Sequence, residues 1–378
     1  MLQKYLQGIR TTLICLLFST FTYAQEEVSM QGFGFETNLM AGKIIKHSKK
    51  FTAPIPYIST ALDMNFVWQT YGKKDWQQRR NYPLIGFGFT YTDYGNNEVF
   101  GNCLGVYPEL QVPIIRKNNF EWTIRFGNGL GYVTRKYQKN PPVDTLNTAI
   151  GTNFNDFAIF CTDIRWHINH HWNVQAGANF THISNADYHS PNLGVNMVGA
   201  HLGVRYFPTT SNAVRIKKNL EPLPNRWLFE ARIGIAHNEA RSEGNPELPT
   251  YLTSLYMSHR WLSKNKWYVG IDAASHEDVY QELKYWTRYV GNERAHSWDG
   301  GIFAGNEFLV GRIGIFAQVG IYYKQTYLKF DPFYEKIGLN YYVIKREKGP
   351  VKEVFLSSIL LTHAIVAELA EFGIGAGF

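Results

Sequence analysis

The chain has 378 residues, a formal net charge of +7 and three cysteines, and 16% of its residues are aromatic. Glycine is abundant, with 33 residues, yet the mean hydropathy is slightly negative. No apolar stretch after residue 24 is long enough to cross a bilayer as a helix, which excludes a helical membrane protein. This composition is unusual for a soluble domain and is typical of a β-barrel with an apolar outer face and a polar inner face.

The first residues have the order of a secretory signal peptide. Lys4 and Arg10 give a short positive start, and an apolar run follows over residues 13–21. That run is too short for a transmembrane anchor. The sequence therefore predicts export, with residues 1–24 removed by cleavage before Gln25.

Strands in the first half of the chain are marked by alternation between apolar and polar residues. The clearest run reads Phe120, Trp122, Ile124, Phe126, Leu130 and Tyr132 on one face, and Glu121, Thr123, Arg125, Gly127, Gly129 and Gly131 on the other. The same alternation recurs over residues 158–169, 172–181 and 198–206. One face of each run suits lipid and the other suits a polar interior, as in strands of an outer-membrane barrel.

The second half of the chain shows the same alternation over residues 227–235, 312–324 and 372–378. The terminal aromatic residue, Phe378, resembles the signal by which the outer-membrane assembly machinery recognises its substrates. The pattern as a whole predicts an all-β fold, an antiparallel transmembrane β-barrel of the outer membrane.

Pattern counting predicts about eight strands in residues 25–207 and about eight more in residues 226–378. Between them, residues 208–225 are rich in Pro, Asn and Lys. This segment is either a periplasmic turn within one large barrel or a linker between two small ones. Because tandem barrels in a single chain are uncommon, we expect one barrel of about 16 strands. The alternative is two eight-stranded halves.

The polar and sulfur-containing residues on the strands suggest structural roles. Cys103 and Cys161 lie inside predicted strands, and we interpret them as buried free thiols. Five charged or titratable residues on inward faces are expected to form ion pairs in the lumen: Asp163, Arg165, His167, Glu230 and Arg232. The net positive charge suits a partner that carries phosphates. No nucleic-acid partner, metal or cofactor is predicted, and the oligomeric state is left open.

The motif that points to chemistry reads Phe180-Thr181-His182-Ile183-Ser184-Asn185-Ala186, then Pro191-Asn192-Leu193-Gly194, then Asn196. Over roughly residues 120–207 the chain resembles the lipid A 3-O-deacylase (PagL) family, whose hallmark is a His-x-Ser-Asn run followed by a Pro-Asn-x-Gly turn. The resemblance implies an eight-stranded outer-membrane barrel that hydrolyses an ester-linked acyl chain from lipid A. It also implies that His182 is the base, that Ser184 is the nucleophile and that Asn185 helps to hold the oxyanion.

The positions of these residues in the strand pattern point the same way. His182 and Ser184 are two apart, so they share a strand face. That face is apolar from residue 172 to residue 180. Polar side chains that face lipid cost free energy, so their presence there indicates a function. Asn196 lies on the corresponding face of the next strand. If the short turn at residues 169–171 is periplasmic, all three side chains lie near the extracellular leaflet, where lipid A resides.

The sequence departs from the family at one position, because the family has a Glu where this chain has Asn196. A carboxylate orients the histidine and stabilises its positive form, whereas an amide only orients it. If Trp166 pairs with Trp172 or Val174 across the turn, Asp156 falls opposite Ser184 or His182 on the outward face. We therefore hypothesise that Asp156 supplies the missing charge.

These observations favour an outer-membrane hydrolase that acts on lipid A, or on lipopolysaccharide, by a Ser–His mechanism without metal or cofactor. The alternative is a non-enzymatic barrel, either a pore or a structural protein, that retains the barrel scaffold of the family without its activity. The second half, which has no His-x-Ser motif, would suit that role.

Overall fold

The computed structural model describes residues 31–46, 50–139, 146–186, 188–209, 214–223, 225–239, 247–261, 264–328, 331–363 and 366–378. The predicted signal peptide lies outside these residues. Within them the fold is all-β, with two short helices in connections, so the predicted fold class is confirmed. No described helix combines the length and the apolar character that a membrane span requires.

The first eight strands form one closed antiparallel barrel, in which each strand pairs with its neighbours in chain order. The strands are β1 (Phe33–Ile44), β2 (Ser59–Gln69), β3 (Leu84–Asp93), β4 (Asn102–Arg116), β5 (Phe120–Val133), β6 (Phe154–His167), β7 (Trp172–Ser184) and β8 (Val195–Tyr206). Helix α1 (Asp75–Arg79) lies in the connection between β2 and β3.

The last eight strands form a second closed antiparallel barrel. They are β9 (Trp227–Glu239), β10 (Glu247–Trp261), β11 (Asn265–His276), β12 (Trp298–Val310), β13 (Ile313–Lys324), β14 (Phe333–Lys345), β15 (Glu353–His363) and β16 (Val366–Gly377). Helix α2 (Glu277–Tyr285) and a 3₁₀ turn (Arg294–His296) lie in the connection between β11 and β12.

The expectation of a single barrel of about 16 strands is wrong, and the alternative of two eight-stranded barrels is what the chain adopts. Strand β8 pairs with β1, for example Leu202 with Leu39, and β16 pairs with β9, for example Ile374 with Ile233. The physical reason lies in the lumen. An eight-stranded barrel is just wide enough for side chains to fill it, whereas a barrel twice that size leaves an open channel that these side chains could not span.

The lumen of the first barrel is filled by paired charges. The guanidinium of Arg125 is fully buried and lies 2.7 Å from Asp63 and 3.3 Å from Glu109. Arg205 donates to Glu36 from the neighbouring part of the lumen, with Nε 2.9 Å from the carboxylate. Each of these buried charges therefore has an opposite charge within contact distance, as burial requires.

The second lumen is built in the same way. Lys266, 2% exposed, lies 2.8 Å from both Glu230 and Glu353. The predicted lumenal ion pairs are confirmed for Arg165 with Glu36, Glu230 with Lys266, and Arg232 with Glu371. Asp163 contacts His201 and His167 contacts Glu121, and these contacts are ionic only when the histidine is protonated. A water-filled pore would leave such groups solvated. The described interiors therefore give no support to the pore alternative.

The predicted faces of the strands are also observed. On β5 the odd-numbered residues are largely buried and the even-numbered ones face outward, with Trp122 and Leu130 exposed and Arg125 buried. Cys103 and Cys161 are buried free thiols, as predicted. The outer wall of each barrel is therefore apolar along its strands, which is the surface that lipid contacts.

The two barrels contact each other at both ends. At one end Arg80, which follows α1, donates from Nε to the carbonyl oxygen of Leu309 over 2.9 Å, and its guanidinium lies 3.3 Å from the ring centre of Phe308. Burial lowers the pKa of Arg80 to about 10, so it is charged at neutral pH. At the other end the carboxylate of Glu247 lies near the hydroxyl of Tyr188 and raises the pKa of Tyr188 above its ordinary value.

Candidate active site

The candidate site is built where β7 ends and β8 begins. His182 and Ser184 occupy alternate positions at the end of β7, and the pairing register sets His182 directly opposite Asn196 on β8. Because alternate residues of a strand share a face, all three side chains belong to the face that carries Val174 and Ala178 on the outer wall. The structure thus brings together three residues that the sequence singled out.

A chain of hydrogen bonds joins these three side chains. Nδ1 of His182 lies 2.6 Å from Oδ1 of Asn196, and Nε2 lies 3.0 Å from Oγ of Ser184. Since an amide oxygen only accepts, Nδ1 donates its proton to Asn196 and Nε2 is left to accept the proton of the serine hydroxyl. This is the tautomer that a histidine needs in order to act as a base toward a serine.

The loop between β7 and β8 covers the site. Ser184 is 1% exposed and Asn196 is 2% exposed, although both belong to the outward face. Gly194 has a φ of +70°, and a Cβ placed there would lie 3.2 Å from both Cβ of Ser184 and Cε1 of His182. The loop packs this tightly against the site because Gly194 has no side chain.

Asn185 lies in this loop, but its polar groups hold the loop together. Its side-chain nitrogen donates to the carbonyl oxygen of His189 over 2.7 Å and to Oγ1 of Thr152 over 3.2 Å. Its backbone N–H donates to Oδ1 of Asn192 over 3.0 Å. The role of Asn185 in holding an oxyanion therefore stays a prediction, and the structure assigns its donors to other partners.

One other donor lies beside the serine and a second belongs to the loop that covers the site, and neither was singled out for this role from the sequence. The backbone N–H of Ala186 lies 3.4 Å from Oγ of Ser184. The side-chain nitrogen of Asn192 is buried and has no hydrogen-bond partner within the described part of the chain. The Pro-Asn-x-Gly run marks Asn192 in the sequence, but the positive φ of Ala186, +55°, has no sequence signal.

Asp156 lies on the outer wall next to the serine. Trp166 pairs with Val174 across the β6–β7 turn, and Asp156 pairs with Ser184, which is one of the two registers that the sequence allowed. The side-chain nitrogen of Asn128 donates to both carboxylate oxygens of Asp156, over 2.9 Å to Oδ1 and 3.1 Å to Oδ2. Asp156 therefore shares the face of the site and is a diagonal neighbour of His182. Its contribution of charge stays a prediction.

A groove of about 1400 Å³ opens beside the site. Its first wall is the outer surface of β5, β6 and β7, and its second wall is the outer surface of the second barrel. The polar residues that line it on the first barrel include Asn128, Asp156, His182 and Asn196. The second wall was not predicted from the sequence, because alternation shows which residues face outward but not which outward faces meet. Among the described residues, no group of His, Cys, Asp or Glu is arranged to hold a metal ion.

Two closed antiparallel barrels with apolar outer walls, one of them bearing a His–Ser pair on that wall, define an outer-membrane type of β-barrel protein. Residues 60–205 match the family model described as lipid A 3-O-deacylase (PagL), and residues 225–378 match the model described as acyloxyacyl hydrolase, C-terminal domain. Together these matches span well over half of the chain, and the chain belongs to the PagL family. In general class it is an outer-membrane hydrolase.

Several solved structures have similarity to the chain. Neisserial surface protein A is 11% identical, covering 47% of this chain and 97% of its own, with a TM-score of 0.31. The outer-membrane enzyme PagL is 16% identical, covering 45% of this chain and 98% of its own, with a TM-score of 0.30. A mutant of Rh. blastica porin is 9% identical, covering 92% of this chain and 99% of its own, with a TM-score of 0.21. No curated protein matches the chain in sequence.

Proposed function

We propose that this chain hydrolyses an ester-linked acyl chain of lipid A at the outer wall of its first barrel. The observation that carries the proposal is the hydrogen-bonded series in which Oγ of Ser184 lies 3.0 Å from Nε2 of His182, whose Nδ1 lies 2.6 Å from Asn196. Family membership supports the substrate class, since the model that matches the first barrel is named for lipid A deacylation.

The proposed reaction is acyl transfer in two steps. Oγ of Ser184 bonds to the ester carbonyl carbon while its proton passes to Nε2 of His182. The C–O bond to the leaving alcohol then breaks, and the alcohol oxygen takes the proton from Nε2. Water, deprotonated by the same nitrogen, next attacks the acyl-serine. The bond between the acyl carbon and Oγ breaks, Oγ takes the proton back from Nε2, and the fatty acid leaves. The proton transfers as proposed involve only Ser184, His182, the leaving alcohol and water.

The oxyanion that forms at the carbonyl needs donors aimed at it. We assign this role to the backbone N–H of Ala186 and the unpaired side-chain nitrogen of Asn192, with Asn185 fixing the carboxamide of Asn192 through its backbone N–H. Asn185 therefore acts by positioning in this proposal. Asn196 orients His182 but adds no charge, so we expect a slow enzyme.

The proposed location of the site follows from the topology. An even number of strands puts the start of β1 and the end of β8 at one end of the first barrel, and Ser184 lies at the other end. If residues 1–24 direct export and the termini lie in the periplasm, the site lies in the extracellular leaflet. The proposal keeps the division into a site-bearing half (25–207), a periplasmic linker (208–225) and a second half (226–378).

Mass spectrometry of lipid A tests the proposal directly. Cells that express the chain should lose one ester-linked acyl chain, and Ser184→Ala should restore the full set. A matched control is Ser275→Ala, which removes an outward-facing serine near the end of β11 on the other barrel. An unchanged lipid A profile in cells with inserted, folded wild-type protein would contradict the proposal.

The same spectra identify the ester that is cleaved. The two matched family models are named for different esters, the 3-O-linked chain and the acyloxyacyl chain. Loss of a chain bound directly to the sugar supports the first name, and loss of a chain bound to the hydroxyl of another acyl chain supports the second.

A further inference from the structure

The groove beside the site has two walls that come from different barrels. On the first barrel, Phe126, Phe160 and Phe180 lie in one row across β5, β6 and β7, because the register pairs them in that order. This row is four residues below Ser184, which corresponds to roughly 13 Å along a strand. The second wall is formed by apolar side chains of the other barrel, among them Ile235, Ile315, Ile337, Leu339, Leu360 and Phe372.

Apart from Ser358, which lies level with Leu339 and Phe372, the polar residues of the groove are concentrated at one end. On the first barrel this end carries His182 and Asp156. On the second barrel it carries His237 and Glu335, whose carboxylate accepts a hydrogen bond of 3.0 Å from Thr362. Glu335 lies two residues from the start of β14, above the apolar residues of that strand. The groove is thus polar at the level of the serine and apolar below it, which matches an ester whose acyl chain extends along the barrel wall.

The second wall is fixed in position from both ends. Tyr188, in the loop that covers the site, lines the groove and lies close enough to Glu247, at the start of β10, to interact with its carboxylate. At the far end Arg80 donates to the carbonyl oxygen of Leu309, and Cδ1 of Trp76 would lie 3.0 Å from a Cβ at Gly311. A wall held at two ends presents a fixed surface, whereas bulk lipid presents one that rearranges. A fixed surface discriminates between ligands of different length.

We propose that the outer wall of the second barrel forms the far side of the acyl-chain groove and thereby selects the length of the chain that Ser184 releases. This inference rests on the proposed function. Each methylene that fits against the wall contributes about fourfold in affinity, so a few methylenes are enough for clear discrimination. The second barrel, which has no His-x-Ser motif, then determines specificity while the first provides the chemistry.

Substitution of one wall residue tests the inference. Ile337→Trp places a large ring in the groove, and Ile271→Trp is its matched control, because Ile271 is an isoleucine of similar exposure on β11 that does not line the groove. With the purified full chain we expect Ile337→Trp to lower the ratio of kcat/KM for hexadecanoyl over octanoyl esters by roughly tenfold. Ile271→Trp should leave that ratio within about twofold. Equal ratios in the two variants would overturn the inference.

Photolabelling gives a readout that does not depend on turnover. The Ser184→Ala chain, in micelles with a hexadecanoyl ester that carries a diazirine at its terminal carbon, should be labelled on β14 and β15, and Ile337→Trp should remove that label. Label on the first barrel alone would overturn the inference. Label on β14 together with a wild-type chain that hydrolyses no ester would support the groove and contradict the proposed function, so the two failures are distinguishable.

Discussion

Oδ1 of Asn196 lies 2.6 Å from Nδ1 of His182, in the place where a serine hydrolase has a carboxylate. The amide fixes the tautomer and the ring orientation. It does not stabilise the positive charge that His182 acquires when it takes the proton of Ser184. Orientation and charge stabilisation are therefore separated in this site, and each is open to its own test.

A carboxylate at position 196, in place of the amide of Asn196, should raise the rate of ester hydrolysis. We expect Asn196→Glu to increase kcat by about tenfold or more, since loss of the carboxylate in a Ser–His–Asp triad costs as much as roughly 10⁴. Asn196→Gln, which has the length of Glu without its charge, should show no gain. Single-turnover hydrolysis of a lipid A ester measures both. An Asn196→Glu chain that inserts and folds but is no faster than wild type would argue against His182 as the base.

Asp156 should matter most when Asn196 is neutral. It pairs with Ser184 across β6 and β7, so its negative charge lies near the developing positive charge of His182. We expect Asp156→Asn to lower kcat severalfold in the wild-type chain and to have little effect in the Asn196→Glu chain, because the new carboxylate makes the second charge redundant. The double-mutant cycle gives the coupling between the two positions. Equal losses in both backgrounds would mean that Asp156 only holds Asn128.

Gly194 should be required for activity but not for folding of the barrel. Its substitution by Ala adds a methyl group 3.2 Å from atoms of both His182 and Ser184. Because a displacement of about 1 Å costs roughly 10² in rate, we expect Gly194→Ala to lose about that factor. Gly291→Ala is the matched control. Gly291 also has a positive φ, +78°, but a Cβ placed there would meet no atom within 4 Å. Gly291→Ala therefore measures the effect of backbone strain without the steric contact. Similar activity in both variants would contradict this view of the loop.

The sequence predicted the local features of the fold well. Period-two alternation identified the outward face of β7, and with it the shared face of His182 and Ser184. The length of one short turn placed Asp156 opposite Ser184 or His182, and the register has it opposite Ser184. These features depend on residues that are close in the chain, where the alternation and the turn determine the geometry.

The features that the sequence did not predict depend on distant pairing. Closure of β8 on β1 joins strands more than 150 residues apart, and the alternation of each strand would be the same in one large barrel. The size of the lumenal side chains, such as Arg125 and Tyr107, carries the relevant signal, because they fill a small barrel. The second wall of the groove was missed for a related reason, since Ile337 reads as an ordinary lipid-facing residue.

Arg80 should hold the two barrels in register. Its Nε donates to the carbonyl oxygen of Leu309, its Nη2 donates to the carbonyl oxygen of Lys264, and the guanidinium stacks on Phe308. Arg80→Ala removes all three contacts and takes the Arg80 donor from the carbonyl of Leu309, at a cost of about 1–3 kcal/mol, whereas the carbonyl of Lys264 keeps the backbone N–H of Leu309 as a donor. Arg80→Lys keeps the charge but loses the fork geometry. We therefore expect both variants to loosen the contact between the barrels.

Distance measurements between spin labels check this expectation. Labels at His170→Cys and Lys348→Cys lie on exposed turns of the two barrels, and the native Cys103 and Cys161 are buried. We expect a narrow distribution of distances in the otherwise wild-type chain and a broader one in both Arg80 variants, with a parallel loss of acyl-length selectivity. Arg294→Ala, which breaks an exposed pair with Glu277 within the second barrel, should change neither. An unchanged narrow distribution of distances in Arg80→Ala would show that other contacts hold the barrels together. A broad distribution with unchanged acyl-length selectivity would show that the selectivity does not depend on the contact between the barrels.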